Sequence, residues 1–138
     1  MTQSALQDEM SALFSGLLVP EAALRFTKLL AMKPGHWAKI DPWRVWSDEG
    51  LSGSRELKAP AAELLGSPPL ARFAATEVTV LRCGHDRPQL CRLLLAAALT
   101  GNHAVFEGFI SIVPGQLGMA LNHDGMFMLW TKPIKRQL

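Results

Sequence analysis

The stretch EVTVLRCGHDRPQLCRLLLAAALT, residues 77–100, decides how the fold is interpreted from the sequence. Its first six residues, rich in β-branched side chains, predict a short strand. Asp86 then stands three residues before Gln89, with Pro88 between them, which is typical of a capped helix start. We therefore predict a helix from Asp86 to about residue 100, ended by Gly101-Asn102.

Beyond its first turn this predicted helix is apolar on nearly every side, and Arg92 is the one clearly polar residue in the segment 90–99. Helices of that kind are covered by other elements on more than one face. We therefore expect a buried helix at the centre of the fold. Its apolar run, residues 93–99, is much shorter than the about 20 residues that cross a membrane, so no membrane partner is predicted.

The residues that follow predict a three-stranded antiparallel meander. Three runs have strand patterning: 105–113, 116–122 and 126–131. Pro114-Gly115 and the sequence NHDG at 122–125 have the residue types that tight turns require. Short turns of this kind connect neighbouring antiparallel strands.

The last predicted strand is apolar on both sides. Phe127 and Leu129 point one way, whereas Met126, Met128 and Trp130 point the other. Each face of the sheet must then be covered. We expect the central helix on one face, and the N-terminal helices or a partner on the other.

The N-terminal part of the chain predicts a helical hairpin. Residues 5–17 carry apolar side chains at three- and four-residue steps, and Ser4 and Gln7 have the spacing of a capping box. Pro20 suits the first turn of a second helix, which ends at residues 33–35. Because the linker is very short, the two helices are expected to pack together.

Residues 36–58 are the least regular part of the chain. Three tryptophans lie within ten residues: Trp37, Trp43 and Trp46. Asp41-Pro42 can start a helical turn, although the sequence WRVW fits a short strand equally well. The glycines and serines of DEGLSGSREL, residues 48–57, predict a mobile loop.

Together these patterns predict an α+β fold in a single domain, residues 1–138, with a helical half at about 1–75 and a strand–helix–meander half at about 76–138. A chain of this length buries a core without disulfides, and two cysteines are too few for a disulfide scaffold. The N-terminus has no basic leader before an apolar segment. We therefore expect a cytoplasmic protein with reduced thiols.

The charge content argues against one class of function. The chain has 14 basic and 12 acidic residues, a net charge of +2, without the basic patch that nucleic-acid binding normally requires. Only 19% of its residues are charged, which leaves few charges to cover an exterior. This favours burial of some surface against another protein.

The densest cluster of reactive side chains is CGHDRPQLC, residues 83–91. Structural zinc usually has four ligands in paired spacing, and a fourth ligand would have to come from the distant His103 or His123. The same residues are explained by a strand end, a turn, a helix cap and a packed Cys91. We therefore predict no metal and no cofactor.

An enzyme is the alternative interpretation of this cluster. The catalytic candidates are Cys83 and His85, because a helix N-terminus can lower the pKa of a nearby thiol. A nucleophile would also need a histidine within hydrogen-bond reach and an orienting carboxylate, such as Asp86 or Asp124. No recognised catalytic signature surrounds either cysteine.

The leading functional hypothesis is a non-enzymatic protein-binding module: a small chaperone, immunity protein, adaptor or assembly subunit. Its partner is expected to be another protein, or a second copy of the chain in a homodimer. The candidate contact residues are Trp37, Trp43, Trp46, Met126, Met128 and Trp130. A nucleic-acid-associated regulator is a further alternative, in which Lys39 and Arg44 would accompany stacking tryptophans.

One resemblance supports the binding-module class. The stretch LGMALNHDGMFMLWTKPI, residues 117–134, resembles the last hairpin of small bacterial type III secretion chaperones. Those proteins continue with another helix, whereas this chain ends here. The resemblance gives one example of the binding-module class.

Overall fold

The computed structural model describes residues 1–47, 53–83, 88–101, 104–105 and 107–133. It confirms the helical hairpin, formed by α1 (Gln3–Leu17) and α2 (Pro20–Leu30). Thr2, not Ser4, caps α1: its hydroxyl accepts a hydrogen bond from the backbone N–H of Ala5 at 3.1 Å. Gln7 instead donates to the backbone carbonyl of Leu30 at 3.0 Å and so ties α1 to the end of α2.

The remaining helices are short. They are the 3₁₀ helix Pro34–Lys39, α3 (Arg44–Ser47), α4 (Ala61–Leu65), the 3₁₀ helix Ala71–Phe73 and α5 (Leu95–Leu99). The WRVW sequence therefore forms a helical turn. The side chain of Asp41 accepts the backbone N–H of Trp43 at 3.0 Å just before it, as expected of a capping residue. No helix among the described residues has the length and apolar character needed to span a bilayer.

Within the described part of the chain, six strands form one antiparallel sheet in the order β1-β6-β5-β4-β2-β3. The strands are β1 (Ser54–Leu57), β2 (Glu77–Arg82), β3 (Gln89–Leu94), β4 (Gly108–Val113), β5 (Leu117–Leu121) and β6 (Phe127–Thr131). The predicted meander is confirmed as β4, β5 and β6. Gly115 and Gly125 take positive φ angles of 67° and 77° in its two turns.

The predicted central helix is shorter than expected and is preceded by a strand. Residues 89–94 form β3, which pairs with β2 so that Cys91 lies opposite Val80. Only Leu95–Leu99 are helical in this region, and Asp86, the predicted cap, lies outside the described residues. An apolar run without a polar stripe has no period that separates a buried helix from a buried strand. Pairing with β2 satisfies its backbone and places alternate side chains on two covered faces.

The predicted loop at 48–57 contains a strand. Residues 54–57 form β1, an edge strand in which Leu57 lies opposite Phe127 of β6. Residues 48–52 lie outside the described residues. Because the partner strand follows about seventy residues later in the chain, local glycine and serine content carried no sign of this pairing.

Both faces of the sheet are covered, as the alternation in β6 predicts. One core contains Leu81, Phe109, Ala120 and Trp130 of the sheet and packs against α1 and α2. The other contains Val80, Ile110, Met119 and Leu129 and packs against α4 and α5. The N-terminal helices therefore cover one face, and the short α5 covers the other together with α4.

Candidate functional site

The two cysteines lie on opposite faces of the sheet. Cys83 follows β2 and belongs to the core beneath α1 and α2, where it is 3% exposed. Cys91 on β3 packs against the core beneath α4 and α5. Both thiols are free. The spacing of CGHDRPQLC therefore does not bring its two cysteines into one site.

The surroundings of Cys83 disfavour a nucleophile. Burial raises the pKa of its thiol well above the ordinary range, and the nearby carboxylates of Glu107 and Asp41 raise that pKa further. A reactive cysteine needs the opposite shift, because the thiolate is the nucleophile. The second catalytic candidate, His85, lies outside the described residues.

The raised pKa of Cys83 makes stability depend on alkaline pH. Above about pH 8.5 an exposed thiol ionises, so the unfolded chain releases a proton that the native chain keeps. The free energy of unfolding is then expected to fall by up to about 1.4 kcal/mol per pH unit from this residue. Urea unfolding between about pH 8 and pH 10 measures this slope.

Cys83→Ala is expected to flatten that slope, because alanine does not titrate in either state. Cys91→Ala is the matched control: its thiol is half-buried, and Arg82 opposes the upward shift that burial gives its pKa. The chain has no tyrosine, so no phenol titrates in the same range. Equal slopes for the wild type and Cys83→Ala would contradict the inferred burial of this thiol.

The described residues also offer no set of ligands for a metal ion. Among the residues that the structure describes, no three His, Cys, Asp or Glu side chains lie close enough together to hold an ion. Because the two thiols lie on opposite faces of the sheet, the sequence cluster does not supply both cysteines to one metal ion.

Two of the six predicted contact residues are core residues. Trp37 is 3% exposed, and its indole N–H donates to the backbone carbonyl of Leu30 at 3.1 Å. Trp130 is 5% exposed and packs on Gly16 of α1, which has no side chain to exclude it. Both tryptophans therefore belong to the core beneath α1 and α2, which leaves them little surface for a partner.

The other two tryptophans are half-buried: Trp43 lies directly before α3, and Trp46 lies within it. The ring centroids of Trp43 and Trp46 are 6.0 Å apart. The indole N–H of Trp43 donates to Nδ1 of His123 at 3.2 Å, and that of Trp46 donates to Oε1 of Glu56 at 3.1 Å. These bonds attach a four-residue helix to the β5–β6 turn and to the edge strand β1.

The two predicted methionines lie on the same side of the sheet. Met128 is opposite Glu56 in the register of β1 and β6, and it packs at the margin of the core beneath α1 and α2. Met126 precedes β6, points to the same face by alternation and is half-buried. We use the name tryptophan patch for four half-buried residues: Trp43, Trp46, Met126 and Met128.

Acidic side chains surround the tryptophan patch. His123 is 59% exposed at its side chain, with Glu107 Oε2 at 3.6 Å from Nδ1 and Asp124 Oδ1 at 3.6 Å from Nε2. Asp41 lies before α3, and Glu56 holds Trp46. Four carboxylates therefore border the patch. The guanidinium of Arg44 in α3 carries the opposite charge and already has an interaction partner.

A cavity lies beside the tryptophan patch. It has a volume of about 250 Å³ and shares Asp41 and Arg44 with the surroundings of the patch. Phe26 and Ala22 supply apolar lining, Arg25 and Lys39 add positive charge, and Glu21 adds negative charge. The cavity is thus lined by charges of both signs.

Sequence reasoning missed His123 and Glu56 as the residues that hold the tryptophans. From the sequence, His123 is a turn residue in NHDG or a distant fourth zinc ligand. It lies 80 residues after Trp43, and no local pattern links the two. The turn at Asp41-Pro42 and the NHDG turn are each visible in the sequence. The contact between Trp43 and His123, which lie at these turns, depends on the sheet.

Comparison of the chain with protein-family models, with curated proteins and with solved structures found no match in any of the three. The candidate site is therefore defined by its own geometry.

Proposed function

We propose that this chain is a non-enzymatic protein-binding module that acts through the tryptophan patch. The observation that carries the proposal is the pair of half-exposed tryptophans, each with its indole N–H held by a side chain from the sheet. Tryptophan is enriched among the residues that dominate binding energy. Side chains that are already held lose less conformational freedom when a partner binds.

The charge around the patch indicates the kind of partner. Asp41, Glu56, Glu107 and Asp124 favour a partner segment that carries lysine or arginine next to an apolar anchor. A cation from such a segment can also lie over an exposed indole face. The same carboxylates repel phosphates, which disfavours the nucleic-acid alternative.

A different protein fits the patch better than a second copy of the chain. In a two-fold dimer formed through the patch, the acidic border of one copy would face that of the other. We place the module in the cytoplasm, where two free cysteines stay reduced. Small chaperones, immunity proteins, adaptors and assembly subunits all act through surfaces of this kind.

The proposal is tested by selecting peptides from a random displayed library on the full chain and measuring the affinity of the selected peptides. Selected sequences are expected to combine lysine or arginine with an aromatic or aliphatic residue. Trp43→Ala and Trp46→Ala are each expected to weaken binding at least about tenfold, since a buried aromatic anchor is lost.

Leu24→Ala is the matched control. Leu24 is an exposed apolar residue on α2 outside the patch, so its removal is expected to leave the affinity unchanged. Circular dichroism and thermal unfolding establish that each variant is folded. Equal affinities of the wild type and both tryptophan variants, or selection of acidic peptides, would refute the proposal. A mass measurement in solution tests the homodimer.

A further inference from the structure

One nitrogen of His123 is shared between two neighbours. Nδ1 accepts the indole N–H of Trp43 at 3.2 Å, and Oε2 of Glu107 lies 3.6 Å from the same atom. A ring nitrogen that accepts a hydrogen bond carries no proton. In this arrangement the imidazole is therefore neutral, and its proton is on Nε2, the nitrogen that faces Asp124.

We infer that protonation of His123 exchanges its partner from Trp43 to Glu107 and thereby releases α3 from the β5–β6 turn. A proton from solvent binds the Nδ1 lone pair, so that Nδ1 becomes a donor and can no longer accept from the indole. The new N–H is directed to the carboxylate of Glu107. As a form of regulation for the tryptophan patch, this inference rests on the proposed function.

The groups around the ring come from three parts of the chain. The carboxylates are Glu107, before β4, and Asp124, in the β5–β6 turn, and the neutral indole of Trp43 lies directly before α3. Further away, Asp41 and the buried thiol of Cys83 lie near Glu107. The protonated ring thus has a carboxylate within reach of each N–H, while the neutral ring has the indole of Trp43 on one side.

Loss of the Trp43 bond affects the whole patch because α3 is so short. Val45 anchors α3 in the core beneath α1 and α2, and the polar contacts of this segment include the Asp41 cap, the Trp46–Glu56 bond and the Trp43–His123 bond. When the last of these breaks, the half-buried indole N–H of Trp43 has lost its acceptor, which favours movement of the ring. Binding through the patch is then expected to weaken at acidic pH.

The exchange is measured on the full chain alone, from the ¹H–¹⁵N signals of the indole N–H groups between about pH 8 and pH 5, where histidines titrate. The Trp43 signal, assigned with Trp43→Phe, is expected to move towards the position of a weaker hydrogen bond as the pH falls. The Trp37 signal is the internal control, because its acceptor is a backbone carbonyl that does not titrate.

One variant separates the exchange from a general effect of acid. His123→Gln places an amide oxygen near the indole at every pH, so the Trp43 signal is expected to stay in place. A Trp43 signal that stays in place in the wild type, or moves equally in His123→Gln, would overturn the inference.

These measurements need no partner, so the two proposals fail independently. Peptides that bind at the patch with the same affinity at about pH 8 and pH 5 would refute the exchange as regulation but leave the binding function standing. Conversely, the Trp43 signal could move with pH as expected while Trp43→Ala and Trp46→Ala bind peptides as tightly as the wild type. That result would support the exchange and refute the proposed function.

Discussion

Replacement of Phe109 by alanine is expected to lower the free energy of unfolding by about 3–5 kcal/mol. Phe109 is fully buried in the inner strand β4. Its ring packs edge-on against Phe14 of α1, with centroids 5.0 Å apart, and Phe14 packs in the same way on Phe26 of α2 at 5.8 Å. The three rings join the helical hairpin to the sheet, so the substitution leaves a cavity at this junction.

The measurement is urea unfolding followed by circular dichroism, with Phe73→Ala as the control. Phe73 is half-exposed at the margin of the opposite core, with the guanidinium of Arg72 at 4.6 Å from its ring centroid. Its removal is expected to lower the free energy of unfolding by only about 1 kcal/mol. If Phe109→Ala were no more destabilising than Phe73→Ala, the three-ring junction would not hold the hairpin on the sheet.

Replacement of Gly16 by alanine is expected to destabilise the protein by about 1–3 kcal/mol, against the usual preference of a helix for alanine. Gly16 lies in α1, and a Cβ atom there would overlap the indole of Trp130. The indole is held between α1 and the sheet and has little room to move. The steric overlap therefore exceeds the gain of about 1 kcal/mol that helix propensity would give.

Gly35→Ala provides the matched comparison for this second result. Gly35 lies in the 3₁₀ helix Pro34–Lys39, and a Cβ atom at Gly35 would have no neighbour within 4 Å. We expect the free energy of unfolding to change by about 0.5 kcal/mol or less, in either direction. The double substitution Gly16→Ala with Trp130→Phe should recover part of the loss, because the smaller ring gives back the space. No recovery would place the strain elsewhere in α1.

The contact between Gly16 and Trp130 also explains why some of the predicted contact residues are buried and others are half-buried. Alternation along β6 correctly placed Met128 and Trp130 on one face. It carried no information on which part of that face lies beneath α1. Gly16 allows the helix to approach Trp130, whereas Met128 and Met126 stay half-buried. Exposure was therefore decided by the path of a helix over the sheet.

The residues that hold the tryptophan patch show a similar limit. Asp41-Pro42 and the NHDG turn are both recognisable from the sequence. Trp43 meets His123 because the pairing of β5 with β6 fixes the position of the turn that carries His123. The two residues are 80 positions apart, so no local pattern in the sequence links one to the other.

By itself the sequence determined the elements whose signals are local. Pro20 begins α2, Gly115 and Gly125 take the positive φ angles of the meander turns, and the β-branched run 77–82 forms β2. Only the tertiary structure decided that residues 89–94 are a strand, that 54–57 pair with β6, and that two of the four tryptophans are buried and two half-buried. The physical reason is that local chemistry sets turns and helix ends, whereas strand pairing and burial depend on residues that are distant in the chain.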